Sequence, residues 1–160
     1  MAMSWHCCPR WQVADLRAWI TDAPIGAEDV LSSVRASQHG AALIFLGTVR
    51  DHNEGQAVRG VHYDAYREMA ERVLVEICEE AQQRVAPCSI AAVHRLGELS
   101  VGDVSIAIAV ATPHRAEAFE ACRYVIEEVK KRLSVWKQER YASGESSWLE
   151  GAIPPVRGAR

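Results

Sequence analysis

VSIAIAVATPHRAEAFEACRYVIEEVKKRL, residues 104–133, joins the pattern of a buried strand to that of a long helix. The first eight residues alternate as a strand does. Thr112 suits a helix N-cap and Pro113 suits the first helical position, because the missing N–H of proline would be unpaired there. We therefore predict a helix that runs to about Leu133. Its apolar residues share one arc that we expect to pack on a sheet: Ala118, Phe119, Cys122, Val125, Ile126, Val129 and Leu133.

The sequence before and after this stretch also alternates between strand and helix patterns. Residues 40–49 read as a buried strand and residues 58–66 as a second, and the turn-rich residues between them predict one long hairpin. We predict the remaining elements as a short helix at 27–36, an amphipathic helix at 68–85, a strand and turn at 89–99, and a terminal hairpin over 135–151. This order predicts an α+β domain with a mostly antiparallel sheet and two long helices.

Length and charge limit the classes of function. The chain has 160 residues and a formal net charge of -3, so it carries no overall basic field and we do not expect it to wrap nucleic acid. Its longest apolar run, AALIFLG, is far shorter than the roughly 20 residues that cross a bilayer. The N-terminus lacks the apolar segment of a signal peptide. We expect a cytoplasmic protein.

The five cysteines predict free thiols, because their number is odd and they form no C-x-x-C pair. Cys78 and Cys122 lie at apolar helix positions and should be buried. His6, Cys7 and Cys8 could chelate a metal, although an irregular terminus also explains them. We expect no metal and no cofactor. A single domain is predicted over residues 17–151, with a poorly ordered extension at 1–16 and a tail at 152–160.

Lys130 is the first candidate catalytic residue. At 100° per residue it falls at the rim of the apolar arc of the long helix, whereas Lys131 falls among glutamates on the solvated side. Partial loss of solvent disfavours the ammonium form and can make a lysine a nucleophile or proton donor. The alternative is a lysine whose stem covers apolar surface while its amine reaches water.

Cationic side chains at the ends of elements predict an anion site. His114 and Arg115 open the long helix, where the dipole already favours a negative ligand, although Arg115 could instead pair with Glu117 or Glu120. Arg50 follows one strand, and His94 with Arg95 ends another, which adds donors suited to phosphate. His94 could equally be structural.

Lysine 137 follows Trp136 in the strand after the long helix and points to the opposite face. Glu139 lies on the face of Lys137, so an ordinary ion pair also explains this lysine.

Four segments of the sequence resemble the MoaE family, the large catalytic subunit of molybdopterin synthase: GAALIFLGTVRDHNEG, VHRLGELSVGD, ATPHRAEAFEACRYVIEEVKKRLSVWKQE and SSWLEG. The resemblance implies an α/β-hammerhead fold and a homodimer within a heterotetramer. In it, each large subunit holds a small ubiquitin-like sulfur carrier of the MoaD type. The C-terminal Gly-Gly thiocarboxylate of the carrier would deliver sulfur to cyclic pyranopterin monophosphate and form the dithiolene of molybdopterin.

The resemblance also implies roles for six residues. Lys130 matches the essential lysine beside the terminal carbonyl of the carrier, and Lys137 matches a second catalytic lysine. The substrate-binding matches are Phe45, Arg50, His114 and Arg115, with contributions from both protomers.

Two other functions would use the same features. A non-catalytic adaptor could bind ubiquitin-like carrier tails without turnover, but it would not need a phosphate site. An unrelated nucleotide- or phosphate-binding enzyme would explain the cations but not the lysine at the apolar rim.

Overall fold

The computed structural model describes residues 15–149, with three helices and nine strands in that range. The predictions for residues 1–14, including the His6, Cys7 and Cys8 group, and for residues 150–160 lie outside it. The elements are β1 (Leu16–Thr21), α1 (Ala27–Ser32), β2 (Ala41–Thr48), β3 (His52–Asn53), β4 (Gln56–Asp64), α2 (Arg67–Arg84), β5 (Ser89–Arg95), β6 (Gly97–Ser100), β7 (Val104–Thr112), α3 (Arg115–Arg132), β8 (Trp136–Tyr141) and β9 (Ser146–Leu149).

The first sheet has the strand order β1-β5-β7-β2. Its central strands β5 and β7 are buried on both faces, since all their residues except Arg95 and Val104 are buried. Helices α2 and α3 cover one face and α1 covers the other. Cys78 of α2 and Cys122 of α3 face the core, so their predicted burial is confirmed.

The second sheet contains β3-β4-β8-β9, with β6 also paired to β4. Every pairing in both sheets is antiparallel except that of β1 with β5. The predicted α+β class with a mostly antiparallel arrangement and two long helices is therefore confirmed. No helix in the range 15–149 is long and apolar enough to span a membrane.

The predicted hairpin between residues 40–49 and 58–66 is wrong. Strand β2 pairs with β7, whereas β4 belongs to the other sheet. A register shift at Gly47/Thr48 ends β2, and the Val49 N–H then donates to the Asp103 carbonyl at 3.0 Å. The turn at Glu54 and Gly55, both with positive φ, instead joins the short strand β3 to β4.

The start of α3 also differs from the prediction. Thr112 is the last residue of β7, and its hydroxyl donates to the His114 carbonyl at 2.7 Å. The helix begins at Arg115 with His114 as N-cap, because the strand pairing of Thr112 with Ala41 extends β7 further than expected. Phe119 was placed on the packed arc wrongly, since 66% of it is exposed.

Candidate active site: a cavity with two lysines

A cavity of about 430 Å³ opens between the two sheets. Helix α3 and strand β2 line it from the first sheet, and β4 and β8 line it from the second. Phe45 and Ile126 supply apolar wall, while Lys130 and Lys137 bring two amines to the same space. The fold brings these residues together because the last turns of α3 pass over the end of β2, and β8 follows within four residues. The cavity can therefore take a small anionic group against an apolar wall.

Lys130 is the third residue from the C-terminal end of α3, and its side chain lines the cavity. Within residues 15–149 its amine has no ion pair, so it is available to a ligand. Lys131 is exposed and pairs with Glu128 at 3.0 Å, as expected for a surface lysine. Both lysines are exposed, so the partial loss of solvent expected for Lys130 is not seen. Only Lys130 lines the cavity, and Lys131 therefore offers a matched control for it.

Lysine 137 makes the expected ion pair with Glu139, at 2.5 Å between Nζ and Oε1. Glu139 is only 2% exposed, and it also accepts hydrogen bonds from Asn53 Nδ2 and Tyr141 Oη, both at 2.9 Å. Asn53 in turn accepts a long 3.5 Å contact from Arg50. Glu139 therefore joins a lysine of the cavity to the loop that carries Arg50.

Burial alone would raise the pKa of Glu139, but hydrogen bonds from Lys137, Tyr141 and Asn53 outweigh it and lower the pKa. A carboxyl group whose pKa is lower in the folded protein stabilises the fold above its unfolded pKa, and this contribution is lost as the pH falls through the folded value. Glu139 should therefore stabilise the protein fully at neutral pH, and this contribution should fall progressively as the pH drops below 4.5 toward the lower pKa of the folded state.

We expect Glu139→Gln to lower the free energy of unfolding at pH 7 by about 1.5–3 kcal/mol, because it weakens hydrogen bonds to a buried charge. The difference from wild type should shrink as the pH falls below 4.5. Urea unfolding at several pH values measures both effects, with the exposed Glu127→Gln as control. A deficit of the same size at pH 7 and pH 3.5 would contradict this account of Glu139.

Histidine 94 lines the same cavity but is not the cationic donor proposed from the sequence. Burial lowers its pKa to about 4, so the ring is neutral at pH 7. The imidazole packs edge-on against Tyr63 and lies 3.0 Å from the Arg95 carbonyl through Nδ1, which assigns the proton to Nδ1. The structural alternative for His94 is the correct one. Arg95 is likewise occupied, with Asp103 at 3.3 Å.

The burial of His94 predicts that the stability of the fold depends on pH. The unfolded chain takes up a proton on His94 near pH 6.5, whereas the folded protein does so only near pH 4. The fold should therefore lose stability as the pH falls from 6.5 to 4. In His94→Gln the loss over this range should be smaller, as measured by thermal unfolding at each pH. An identical slope in the variant and the wild type would show that His94 is not the cause.

The other cationic candidates lie at two ends of β2. Arg50 follows the end of β2 that meets Asp103 and the cavity. At the opposite end, an added Cβ on Gly40 would lie 2.6 Å from the Pro113 carbonyl oxygen, which places His114 and Arg115 there. The helical rise of 1.5 Å per residue separates Arg115 from Lys130 by about 22 Å along α3. One chain therefore cannot bring all six candidates to one ligand.

The sequence analysis treated Glu139 only as an ion-pair partner and did not single out Asn53 or Tyr63. Strand alternation places Lys137, Glu139 and Tyr141 on one face of β8, and this pattern could have indicated the buried carboxylate. The contact of Glu139 with Asn53 crosses 86 residues, so no local pattern could have shown it.

The fold and the cavity define a two-sheet α+β domain that carries a site with two lysines. The sequence matches the family described as MoaE protein over residues 20–132. This chain therefore belongs to the MoaE family.

Individual relatives agree with the family match. A molybdopterin synthase catalytic subunit from Pyrococcus abyssi is 44% identical over 78% of this chain and 83% of its own length. Molybdopterin synthase catalytic subunit 1 from Mycobacterium tuberculosis is 38% identical over 81% of this chain and 88% of its own. The crystal structure of molybdopterin synthase from Staphylococcus aureus superposes with a TM-score of 0.80 at 32% identity, covering 83% of this chain and 96% of that one.

Proposed function

We propose that this chain is the catalytic subunit of a molybdopterin synthase and acts as a sulfurtransferase. It would move sulfur from the C-terminal thiocarboxylate of a small ubiquitin-like carrier to cyclic pyranopterin monophosphate, and two transfers would complete the dithiolene. The observation that carries the proposal is the convergence of Lys130, Lys137 and Phe45 on one cavity. The names of the relatives support the same activity. A cytoplasmic location is part of the proposal.

The lysines would act on the end of the carrier. An ammonium beside the thiocarboxylate can stabilise charge that develops on the acyl group, and it can supply or accept a proton as sulfur departs. Lys130 would do this, because its amine has no ion pair within the described residues. Lys137 would assist from across the cavity, where Glu139 holds it. The sulfur comes from the carrier, so Cys78, Cys88 and Cys122 can remain buried in the core.

The cationic residues would hold the phosphorylated pterin and orient its carbons toward the sulfur, which supplies proximity. Arg50 would act from the end of β2 beside the cavity. His114 and Arg115 lie at the far end in the same chain, so we propose that a second copy supplies them.

The test is to mix the purified chain with thiocarboxylated carrier and the cyclic precursor and to measure the dithiolene product by mass spectrometry. We expect product only when all three components are present. Carrier binding without product would favour the adaptor instead. Failure to bind any carrier would favour an unrelated phosphate-binding enzyme.

A further inference from the structure

Histidine 94 offers the cavity one hydrogen-bonding atom that the fold itself does not use. Only 7% of the residue is exposed, and it lines the cavity. Its structural contacts are the edge-on packing against Tyr63 and the hydrogen bond from Nδ1 to the Arg95 carbonyl at 3.0 Å. Nε2 has no hydrogen-bond partner in residues 15–149, yet protein atoms do not enclose it. This nitrogen therefore opens onto the cavity.

Nε2 is an acceptor in a cavity whose other polar side chains can donate. Burial lowers the pKa of His94, so the ring is neutral at pH 7 and Nε2, with the proton on Nδ1, can only accept. The ammonium groups of Lys130 and Lys137 only donate. Three further lining residues carry hydroxyl groups, which donate as well as accept: Thr48, Tyr63 and Ser105. Among the described side chains of the cavity, His94 is thus the one suited solely to a donor on the ligand.

The carrier tail of the proposed function brings donors of the matching kind. A Gly-Gly end has no polar side chains, so its hydrogen-bond donors are backbone N–H groups. A backbone N–H that enters a cavity needs an acceptor, because leaving it unpaired costs as much as a lost hydrogen bond. The N–H of the last glycine is two bonds from the carbonyl carbon on which Lys130 would act. Its acceptor should therefore lie in the cavity that Lys130 lines.

We propose that Nε2 of His94 accepts a hydrogen bond from the backbone N–H of the last glycine of the carrier. This bond would position the terminal acyl group beside Lys130, so His94 binds the tail while Lys130 acts on its end. The proposal rests on the proposed function, which supplies the carrier. It also predicts selectivity for carrier ends that keep this N–H.

Replacing one peptide bond of the carrier tests this contact without altering the chain. In a semisynthetic carrier with an unreactive C-terminal carboxylate, the last peptide bond becomes an ester, which removes the N–H. Wild type should bind the ester carrier about tenfold more weakly than the amide carrier in isothermal titration calorimetry, the effect of one buried hydrogen bond. Equal affinities of wild type for the two carriers would overturn the proposal.

Variants of His94 show whether this residue is the acceptor. His94→Phe keeps a planar ring without an acceptor, so it should bind the amide and ester carriers with equal affinity. His94→Gln keeps an acceptor oxygen and should retain most of the wild-type preference. An undiminished preference for the amide carrier in His94→Phe would overturn the proposal, because another group of the cavity wall would then accept the N–H.

Nitrogen NMR of wild type gives an answer even if neither variant folds. The Nε2 resonance of His94 should move when the amide carrier binds and much less when the ester carrier binds, whereas equal responses would overturn the proposal. Equal binding of both carriers by a wild type that forms the dithiolene would refute the role of His94 and leave the proposed activity intact. A wild type that binds neither carrier would refute the proposed function, and this inference with it.

Discussion

Replacing Lys130 by alanine should lower the rate of dithiolene formation by about 10²–10³-fold, the usual effect of removing one donor that stabilises developing charge. Lys130 lines the cavity and its amine has no competing ion pair in the described part of the chain. The measurement is single-turnover formation of product from thiocarboxylated carrier and cyclic precursor.

Lys131→Ala is the matched control for this prediction, because it removes the same charge from the next residue of α3. Lys131 is exposed and paired with Glu128, so the control should keep wild-type activity. Comparable rates for Lys130→Ala and wild type would refute the role of Lys130. Equal losses in both variants would indicate a general charge effect instead.

Two inactive variants should restore activity when they share a dimer. In a heterodimer of Lys130→Ala and Arg115→Ala, one site combines the intact Lys130 of the second chain with the intact Arg115 of the first. The other site carries both substitutions. Heterodimers isolated with two affinity tags should therefore have about half of the wild-type activity, as one of two symmetric sites is complete.

Each homodimeric variant should be strongly impaired in the same assay. If Lys130 and Arg115 of one chain served the same site, each site of the heterodimer would have one defect and no activity would return. An inactive heterodimer with wild-type mass and stability would thus contradict a site built from two copies.

Local patterns predicted most elements of the fold. The strand of residues 104–112 and α3 have strong periodicity, and both exist close to the predicted bounds. The partner of β2 could not be predicted, because its pairing with β7 depends on a contact between distant segments. The turn at Glu54 and Gly55 indicated a hairpin, but it could not indicate that the strand paired with β4 across this turn is β3 and not β2.

The candidate site was predictable to a similar extent. Helical spacing placed Lys130 at the rim of the apolar arc, where the cavity lies, and separated it from Lys131. The sequence left His94 open between a cationic donor and a structural residue, because its burial depends on Tyr63 and on strands that pair far along the chain. Helical spacing also placed Phe119 on the packed arc, although 66% of it is exposed, since periodicity alone cannot show how far the neighbouring elements extend beside a helix.

The most direct test of the central claim is to find where the end of the carrier binds. A carrier with a photoreactive group at its C-terminus should attach, after irradiation, to peptides that line the cavity, within Ile126–Lys137 or at Phe45. Unlabelled thiocarboxylated carrier should compete with this attachment. Attachment confined to the outer face of β8 and β9, or none in a complex that forms normally, would contradict the claim that Lys130 acts on the end of the carrier.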